Sequence, residues 1–248
     1  MTGSKLEHSH RPDAIRSRLA AGPRVSYLRD WVYGGIDGAV TTFAIVAGVV
    51  GAELSARIVL ILGLANLLAD GFSMAAANYS GTRTEIEEYQ NIRAMEERHI
   101  DAAPEGEREE IRQILAAKGF SGPDLERAVD VITSDRQRWI DMMMADEHGL
   151  PLVQRDALKA ALATFASFVI CGSVPLLPFT FSMPAAATIA TVLTGLTFFA
   201  IGSLRSRWSP RPYWRTGLET TAIGLSAAGV AYAVGALLSR IGASAGGA

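Results

Sequence analysis

AALATFASFVICGSVPLLPFTFSMPAAATIATVLTGLTFFAIGSL, residues 160–204, decides the fold class because none of its 45 side chains is Asp, Glu, Lys or Arg. One membrane-spanning helix needs about 20 apolar residues, so this stretch is long enough for two. Pro175, Pro178 and Pro184 lie near its middle, and proline interrupts helical hydrogen bonding. The segment therefore predicts two membrane spans with a reversal between them.

Three further apolar windows lie outside this segment, at Trp31–Ala52, Ile58–Tyr79 and Thr216–Leu238. Each has the length of one span and contains at most one carboxylate. We therefore predict an all-α polytopic membrane protein with five transmembrane helices. The predicted segments are a cytoplasmic N-terminal segment (1–30), spans one and two (31–80), a hydrophilic helical insert (81–150), spans three to five (151–240) and a tail (241–248).

Basic residues are distributed unevenly among the segments that flank the spans. Six precede span one, eleven lie between spans two and three, and four lie between spans four and five, which leaves Arg57 and Arg240. Lys and Arg accumulate on the cytoplasmic side of membrane proteins, so we expect the N-terminus and the insert in the cytosol. The first thirty residues contain no apolar core and predict no cleavable signal peptide. The net charge of −2 says little about partners, because opposite charges are sorted into different segments; we expect no nucleic-acid partner.

The hydrophilic insert holds most of the acidic residues, with 17 Asp or Glu against 9 Lys or Arg. The stretch RTEIEEYQNIRAMEERHI continues span two as a helix, because apolar side chains recur along it every three residues. A second helix is predicted between Pro104 and Gly119, and a third over residues 122–150, with a break near Ser134. A solvated helical hairpin that its acids keep soluble would also explain this composition.

Several side chains of the insert have the spacing of metal ligands. Glu107 and Glu110 are three residues apart and share a helix face, and a hard divalent cation prefers such clustered oxygens. Met143 and Met144 precede Glu147 by four and three residues, so thioether and carboxylate converge. The two methionines also have a structural explanation, since Met fills irregular gaps in a core. A mixed set of oxygen and thioether ligands favours a transition metal such as Fe²⁺ over Ca²⁺ or Mg²⁺.

Glu96 and His99 form a Glu-x-x-His pair in the first helix of the insert. His99 is either a nitrogen ligand or a solvated surface residue. A ferritin-like iron oxidase needs such a pair from each of two helices, and the sequence contains no second copy. A membrane-anchored oxidase is nevertheless an alternative to a transporter, and so is a metal sensor that binds Fe²⁺ without moving it.

Polar residues inside the spans are the second group of candidates, because burying a carboxylate in the bilayer costs at least about 2.5 kcal/mol. Asp37 lies in span one, and Asn66, Asp70 and Met74 follow one another at intervals of four in span two, which places them on one stripe. A stripe that faces Asp37 would supply oxygen and sulfur ligands at membrane depth. Glu219 lies near the cytoplasmic end of span five and is the fifth candidate.

Three of these residues also have a structural explanation. Asp37 could cap a helix broken between Gly35 and Gly38, and Asp70 could pair with Arg57 or with hydroxyl groups of another span. Met74 could be ordinary apolar packing. The small residues of span one permit close helix packing, and they also permit local unwinding. Either use favours a compact bundle.

Four stretches of the sequence resemble the vacuolar iron transporter family. They are GGIDGAVTTFAIVAGVVGA in span one, NLLADGFSMAAANYSGTRTE at the end of span two, MMMADEHGL at the end of the insert, and RTGLETTAIGLSAAG at the start of span five. The resemblance covers about residues 25–240. It implies a five-span homodimer that exchanges cytosolic Fe²⁺, and often Mn²⁺, for protons, with the insert as a cytoplasmic metal-binding domain and no bound cofactor.

The resemblance also implies roles for individual residues. Carried over by position, Asp37 and Met74 look like the carboxylate and thioether of the transport pathway. Asn66 stands where some relatives carry a carboxylate, and His99 stands where a second glutamate is expected after Glu96. In a bacterial host the membrane would be the inner membrane. The insert residues that look like metal ligands of the family are Glu107, Glu110, Met143, Met144 and Glu147.

Overall fold

The computed structural model describes residues 9–23 and 25–245, with side chains as far as residue 241. Within these residues the chain is helical and contains no strand, and five helices are long and apolar enough to cross a membrane. Both findings confirm the predicted fold class. The chain divides into two compact units, one containing Tyr27–Thr84 and the residues from Asp156 onward, the other containing Glu85–Arg155 and the described residues before Tyr27.

Two helices form the centre of the membrane unit. They are α2 (Leu28–Gly51) and α7 (Ala157–Ser173), and half of the apolar window of each is buried. A Cβ atom on Gly34 or Gly38 of α2 would collide with the backbone of α7. Small residues four apart allow such close approach between membrane helices, where packing rather than hydrophobic burial holds the helices together. These two glycines therefore fix the contact between spans one and three.

The last two spans pack around this centre. They are α9 (Ala186–Arg205) and α10 (Tyr213–Ala245). Gly51 of α2 lies against the backbone of Tyr232 on α10, and Gly235 of α10 lies against the backbone of Gly48. Small residues on both helices therefore permit the contact between spans one and five.

The chain reversal between spans three and four involves fewer residues than the positions of the three prolines predict. After α7 the chain continues through a 3₁₀ turn (Val174–Leu176) and a short helix, α8 (Leu177–Thr180), so Pro175 and Pro178 lie inside helical segments. Both prolines occupy the first turn of their segment, where the missing N–H costs no helical hydrogen bond. The chain reverses over residues 181–185, where Ser182 and Ala185 adopt positive φ.

Span two belongs to a single helix of 47 residues, α3 (Ala56–Ala102). Its first part is apolar and carries exposed side chains such as Leu64, Leu68 and Phe72, as expected for a face turned to lipid. Its last part is the first helix of the insert, as the sequence predicts. No proline or helix-breaking glycine pair interrupts it, so the helix continues beyond the apolar window.

The insert adds three helices to the end of α3. They are α4 (Pro104–Ala117), α5 (Gly122–Thr133) and α6 (Arg136–Met142), followed by a π-helical turn at Met143–Glu147. The predicted break near Ser134 separates α5 from α6, and Asp135 caps α6 by accepting a hydrogen bond from the Arg138 N–H at 2.9 Å. A helix in the N-terminal segment, α1 (Pro12–Ala21), has no buried residue. The core of the insert consists of Ile100, Ile111, Leu115, Val129, Trp139, Ile140, Met143 and Met144.

Candidate metal-binding and transport sites

Glu96 is the most deeply buried carboxylate of the insert, with 2% of its surface exposed. It lies on α3, and its Oε1 is 2.9 Å from Nε2 of His148. Its Oε2 is buried and has no hydrogen-bond partner among the described residues. A buried, unpartnered carboxylate oxygen costs free energy that a bound cation would recover, so Glu96 has the properties of a metal ligand.

Glu107, on α4, repeats this arrangement. It is 5% exposed, its Oε1 is 3.4 Å from Nδ1 of His99, and its Oε2 also lacks a partner within the described part of the chain. Burial raises the pKa of Glu107 to about 7, and the neighbouring acids Glu110, Glu96 and Glu147 add to the shift. The protein thus holds negative groups together that repel one another without a cation.

These side chains form two triads that share one member. Glu96, Glu147 and His148 make up the first triad, and Glu96, His99 and Glu107 make up the second; the ligand atoms within each triad lie within 4.8 Å of one another. Carboxylate oxygens combined with imidazole nitrogens suit a first-row transition metal better than Ca²⁺ or Mg²⁺. The donor set therefore fits Fe²⁺ or Mn²⁺.

The π-helical turn brings the end of the insert to Glu96. A π-helix holds one residue more per turn than an α-helix does, and such turns occur frequently at functional sites. Here Met143 and Met144 point into the core with no exposed surface, while Glu147 and His148 follow at the site. Lys118 holds the turn from outside through an ion pair with Asp146 at 2.6 Å.

The remaining insert residues predicted as ligands are placed differently from one another. Glu110 is exposed and belongs to neither triad, yet its charge raises the pKa of both Glu107 and Glu147. Met143 and Met144 are buried in the insert core, where packing explains both. A ligand role for these three residues remains a prediction.

His148 is a member of the first triad that the sequence did not predict. Its ring nitrogen contacts Glu96, 52 residues earlier in the chain, so no local spacing connects the two. The signal that could have found it is its position directly after Glu147, in a segment already predicted to bind metal. With His148, the insert has two histidines on its buried carboxylates instead of one.

In the membrane unit, the stripe on α3 faces α2. The Asn66 amide donates hydrogen bonds to Oγ1 of Thr41 at 3.1 Å and of Thr42 at 3.5 Å, both on α2. One turn further along α3, Asp70 lies close enough to Asp37 for the two charges to interact. Spans one and two thus each contribute a carboxylate whose charge acts on the other.

The other two predicted pathway residues have different surroundings. Met74 is partly buried and packs against the apolar core of the membrane unit. Glu219, on α10, forms ion pairs with Arg205 at 3.2 Å and Arg211 at 3.6 Å. These arginines explain how a carboxylate is held at the end of span five, and its role in transport remains a prediction.

A second polar cluster in the membrane unit was not predicted. Asn78 continues the stripe of α3 one turn beyond Met74, and its amide donates to Oδ1 of Asp30 at 2.9 Å and to Oγ1 of Thr164 at 2.7 Å. Asp30 is 6% exposed and lies two turns before Asp37 on α2. The polar stripe therefore extends along α2 and α3 to a buried carboxylate at the start of span one.

Comparison with known proteins identifies the family of this chain. The family model of the VIT family matches residues 28–236. A vacuolar iron transporter of Toxoplasma gondii is 34% identical over 87% of this chain and 75% of that protein. Vacuolar iron transporter 1 of Oryza sativa is 32% identical over 91% of this chain and 88% of its own length, and that of Arabidopsis thaliana is 31% identical over 83% of each. With a family match over most of its length, the chain belongs to the VIT family, the family of the vacuolar iron transporters.

Proposed function

We propose that this protein moves Fe²⁺, and also Mn²⁺, out of the cytosol in exchange for protons. Membership of the VIT family supports metal transport across a membrane. The observation that carries the exchange is the pair of carboxylates, Asp37 and Asp70, whose charges interact within apolar spans. Ionisable residues inside a membrane are costly and usually line an ion pathway.

The chemistry of the pair accounts for exchange. Two neighbouring carboxylates in a poorly hydrated site repel each other unless a cation neutralises them. A divalent metal or protons can each serve, and a metal ligand must be deprotonated before it binds. Loading metal therefore releases protons, and loading protons releases metal, so a proton gradient drives metal in the opposite direction.

The insert would collect metal for the bundle. Its two triads supply the carboxylates and imidazoles that capture an ion from solution, and the basic residues assign it to the cytosol. We further propose that the chain works as a homodimer in the bacterial inner membrane. The relatives named above are eukaryotic and vacuolar by name, and export from the cytosol is the direction common to both settings.

Metal flux into proteoliposomes tests the proposal. Wild-type protein should take up Fe²⁺ under anaerobic conditions when a pH gradient is imposed, with proton movement in the opposite direction. Asp37→Asn should lose nearly all uptake, because an amide cannot exchange a proton for a metal ion. Glu53→Gln, which changes an exposed carboxylate, is the matched control and should transport normally.

Variants of the insert distinguish metal collection by the insert from metal transport through the bundle. Glu107→Ala and Met144→Ala should slow uptake at low metal concentration and leave it intact at high concentration. Gradient-driven uptake by Asp37→Asn at the wild-type rate would refute the exchange mechanism. Equal rates with and without the gradient would refute proton coupling while leaving metal transport in place.

An oxidase remains the second candidate, and His148 is the observation that favours it. Ferritin-like di-iron sites use four carboxylates and two histidines, and the insert brings Glu96, Glu107 and Glu147 together with two histidines. Oxidation of Fe²⁺ by the insert would consume dioxygen and move no iron across the membrane. Anaerobic uptake by the wild type therefore decides between the two functions.

A further inference from the structure

The connection between spans four and five is the most basic short segment of the membrane unit. It runs from the end of α9 at Arg205 to the start of α10 at Tyr213, through a 3₁₀ turn at Ser206–Trp208. Counted as far as Glu219, the segment contains four arginines and one acid, a net charge of 4 − 1 = +3. The proposed transport mechanism gives no role to this excess of positive charge.

The arginines of this connection fall into two pairs. Arg205 and Arg211 are committed to Glu219 through the ion pairs described above. Arg207 is exposed, and Arg215 is exposed with its guanidinium 5.0 Å from the centre of the Trp214 ring. A guanidinium stacked on an indole keeps its N–H groups available at the ring edge for an anion.

The position of these residues along the membrane normal follows from the chain itself. Both flanking helices are membrane spans, and the segment between them is only seven residues long, 206–212. It must therefore lie at the membrane surface. Its aromatic side chains are exposed, Trp208 by 41%, Tyr213 by 62% and Trp214 by 46%, and Trp and Tyr concentrate at the level of the lipid headgroups.

Close helix packing also constrains the two ends of the connection. Gly202 of α9 lies against the backbone of Thr216, and Gly217 of α10 lies against the Phe199 ring, so that a Cβ atom on either glycine would come within 2.8 Å of its neighbour. Close packing of the two spans at this end therefore holds both ends of the connection near each other.

We propose that this surface, comprising Arg207, Trp208, Tyr213, Trp214 and Arg215, binds the headgroup phosphate of an anionic phospholipid. The guanidinium groups contact the phosphate, and the aromatic rings lie among the headgroups and upper acyl chains. A lipid fits better than a free anion because the segment lies at the level of the headgroups, where lipid phosphates are concentrated. The proposal depends on the five spans and is independent of metal transport and of proton exchange.

Lipid titration of the full chain in nanodiscs tests this proposal. Wild-type protein is placed in phosphatidylcholine with increasing phosphatidylglycerol, and lipids retained by the protein are counted by native mass spectrometry. We expect preferential retention of phosphatidylglycerol. Each basic residue near an anionic surface contributes about fivefold in affinity, so Arg207→Gln/Arg215→Gln should weaken retention by about thirtyfold. This variant spares the ion pairs of Glu219 and should remain folded.

The matched control removes two arginines at the opposite ends of the spans. Arg57→Gln/Arg240→Gln loses the same charge from exposed positions that lie outside any basic cluster, and its retention of phosphatidylglycerol should fall by much less than that of Arg207→Gln/Arg215→Gln. Equal loss in both double variants would refute a specific site, as would a wild type with no preference over phosphatidylcholine. Displacement of the lipid by inorganic phosphate would show a site for free anions and refute the lipid assignment.

Discussion

The membrane unit and the insert both bring carboxylates together, but they surround them differently. In the bundle, Asp37 and Asp70 are only partly buried, and the nearby stripe offers an amide, hydroxyl groups and a thioether. In the insert, Glu96 and Glu107 are almost fully buried, and each has one oxygen on a histidine and one without a described partner. The first arrangement offers few potential ligands, whereas the second brings five carboxylate and imidazole groups into two overlapping triads.

This difference has a physical consequence for metal affinity. A site that supplies several charged and imidazole donors holds an ion tightly and releases it slowly, as expected for collection from a dilute solution. A site with two carboxylates and weak neutral donors binds less tightly, and it can pass the ion onward. We therefore expect binding measurements to report on the insert and flux measurements to report on the bundle, and four experiments follow from this division.

The largest effect is expected from Glu96→Gln, because Glu96 belongs to both triads. Loss of its charge should weaken metal binding by about a hundredfold, at the upper end of the effect of removing a partner near a metal. Calorimetric titration of the full chain with Mn²⁺, in an Asp37→Asn background that silences the bundle, measures the change. Flux in an otherwise wild-type chain should be slowed but not abolished.

Glu105→Gln is the matched control, since Glu105 is an exposed acid of the same insert. It should bind Mn²⁺ as tightly as the Asp37→Asn parent does. Abolition of flux by Glu96→Gln would contradict the separate roles of insert and bundle, because the insert would then be part of the transport pathway.

A change of pH should have an intermediate effect on the metal affinity of the insert, because Glu107 changes its protonation state. Its pKa is raised from 4.5 to about 7, so below pH 7 the carboxyl is protonated and each ion must displace a proton. Metal affinity of the insert should therefore fall about tenfold for each unit of pH below 7 and level off above it. Titrations at a series of pH values measure the slope, and Glu107→Gln should flatten it.

The same shift acts on the stability of the metal-free insert. Because the folded-state pKa is raised, the contribution of Glu107 to folding is fully present below pH 4.5 and is lost as pH rises through about 7. Amide hydrogen exchange in α4 should thus accelerate between these values, and bound Mn²⁺ should suppress the acceleration. Exchange that is independent of pH, after correction for the intrinsic rate, would contradict the raised pKa.

The smallest effect is expected from His148→Gln, which keeps a hydrogen-bonding group beside Glu96 and removes the ring nitrogen. Affinity should fall about tenfold, and the nitrogen hyperfine signal in pulsed electron paramagnetic resonance of bound Mn²⁺ should weaken. His10→Gln, at an exposed position before α1, should change neither quantity. An unaltered nitrogen signal in His148→Gln would mean that His148 only orients Glu96.

The sequence was sufficient to predict the spans, because absence of charge over a fixed length is a direct consequence of lipid as solvent. It also predicted the continuation of α3 into the insert and the break near Ser134. The sequence was a weaker guide where one residue type suits two different local structures. Pro175 and Pro178 suit a turn, yet they also suit the first turn of a helix, and the structure uses them in the second way.

The candidate sites were predictable only where spacing along one helix determines them. Intervals of four identify the stripe of Asn66, Asp70 and Met74, and Asn78 is the next residue at the same interval. The contact of Asn78 with Asp30 joins two helices and depends on their packing. His148 was missed for a related reason, since its partner lies on a different helix and the turn that carries it is not α-helical.

The positions of Glu147 and His148 depend on one extra residue in the π-helical turn at Met143–Glu147. A π turn is equivalent to an α-helix with one residue inserted, so deletion of Ala145 would let the backbone return to regular α-helical hydrogen bonding. The last turn would tighten from i→i+5 to i→i+4 hydrogen bonding. The shortened chain would keep a well-formed helix and its apolar core, while Glu147 and His148 would shift relative to Glu96.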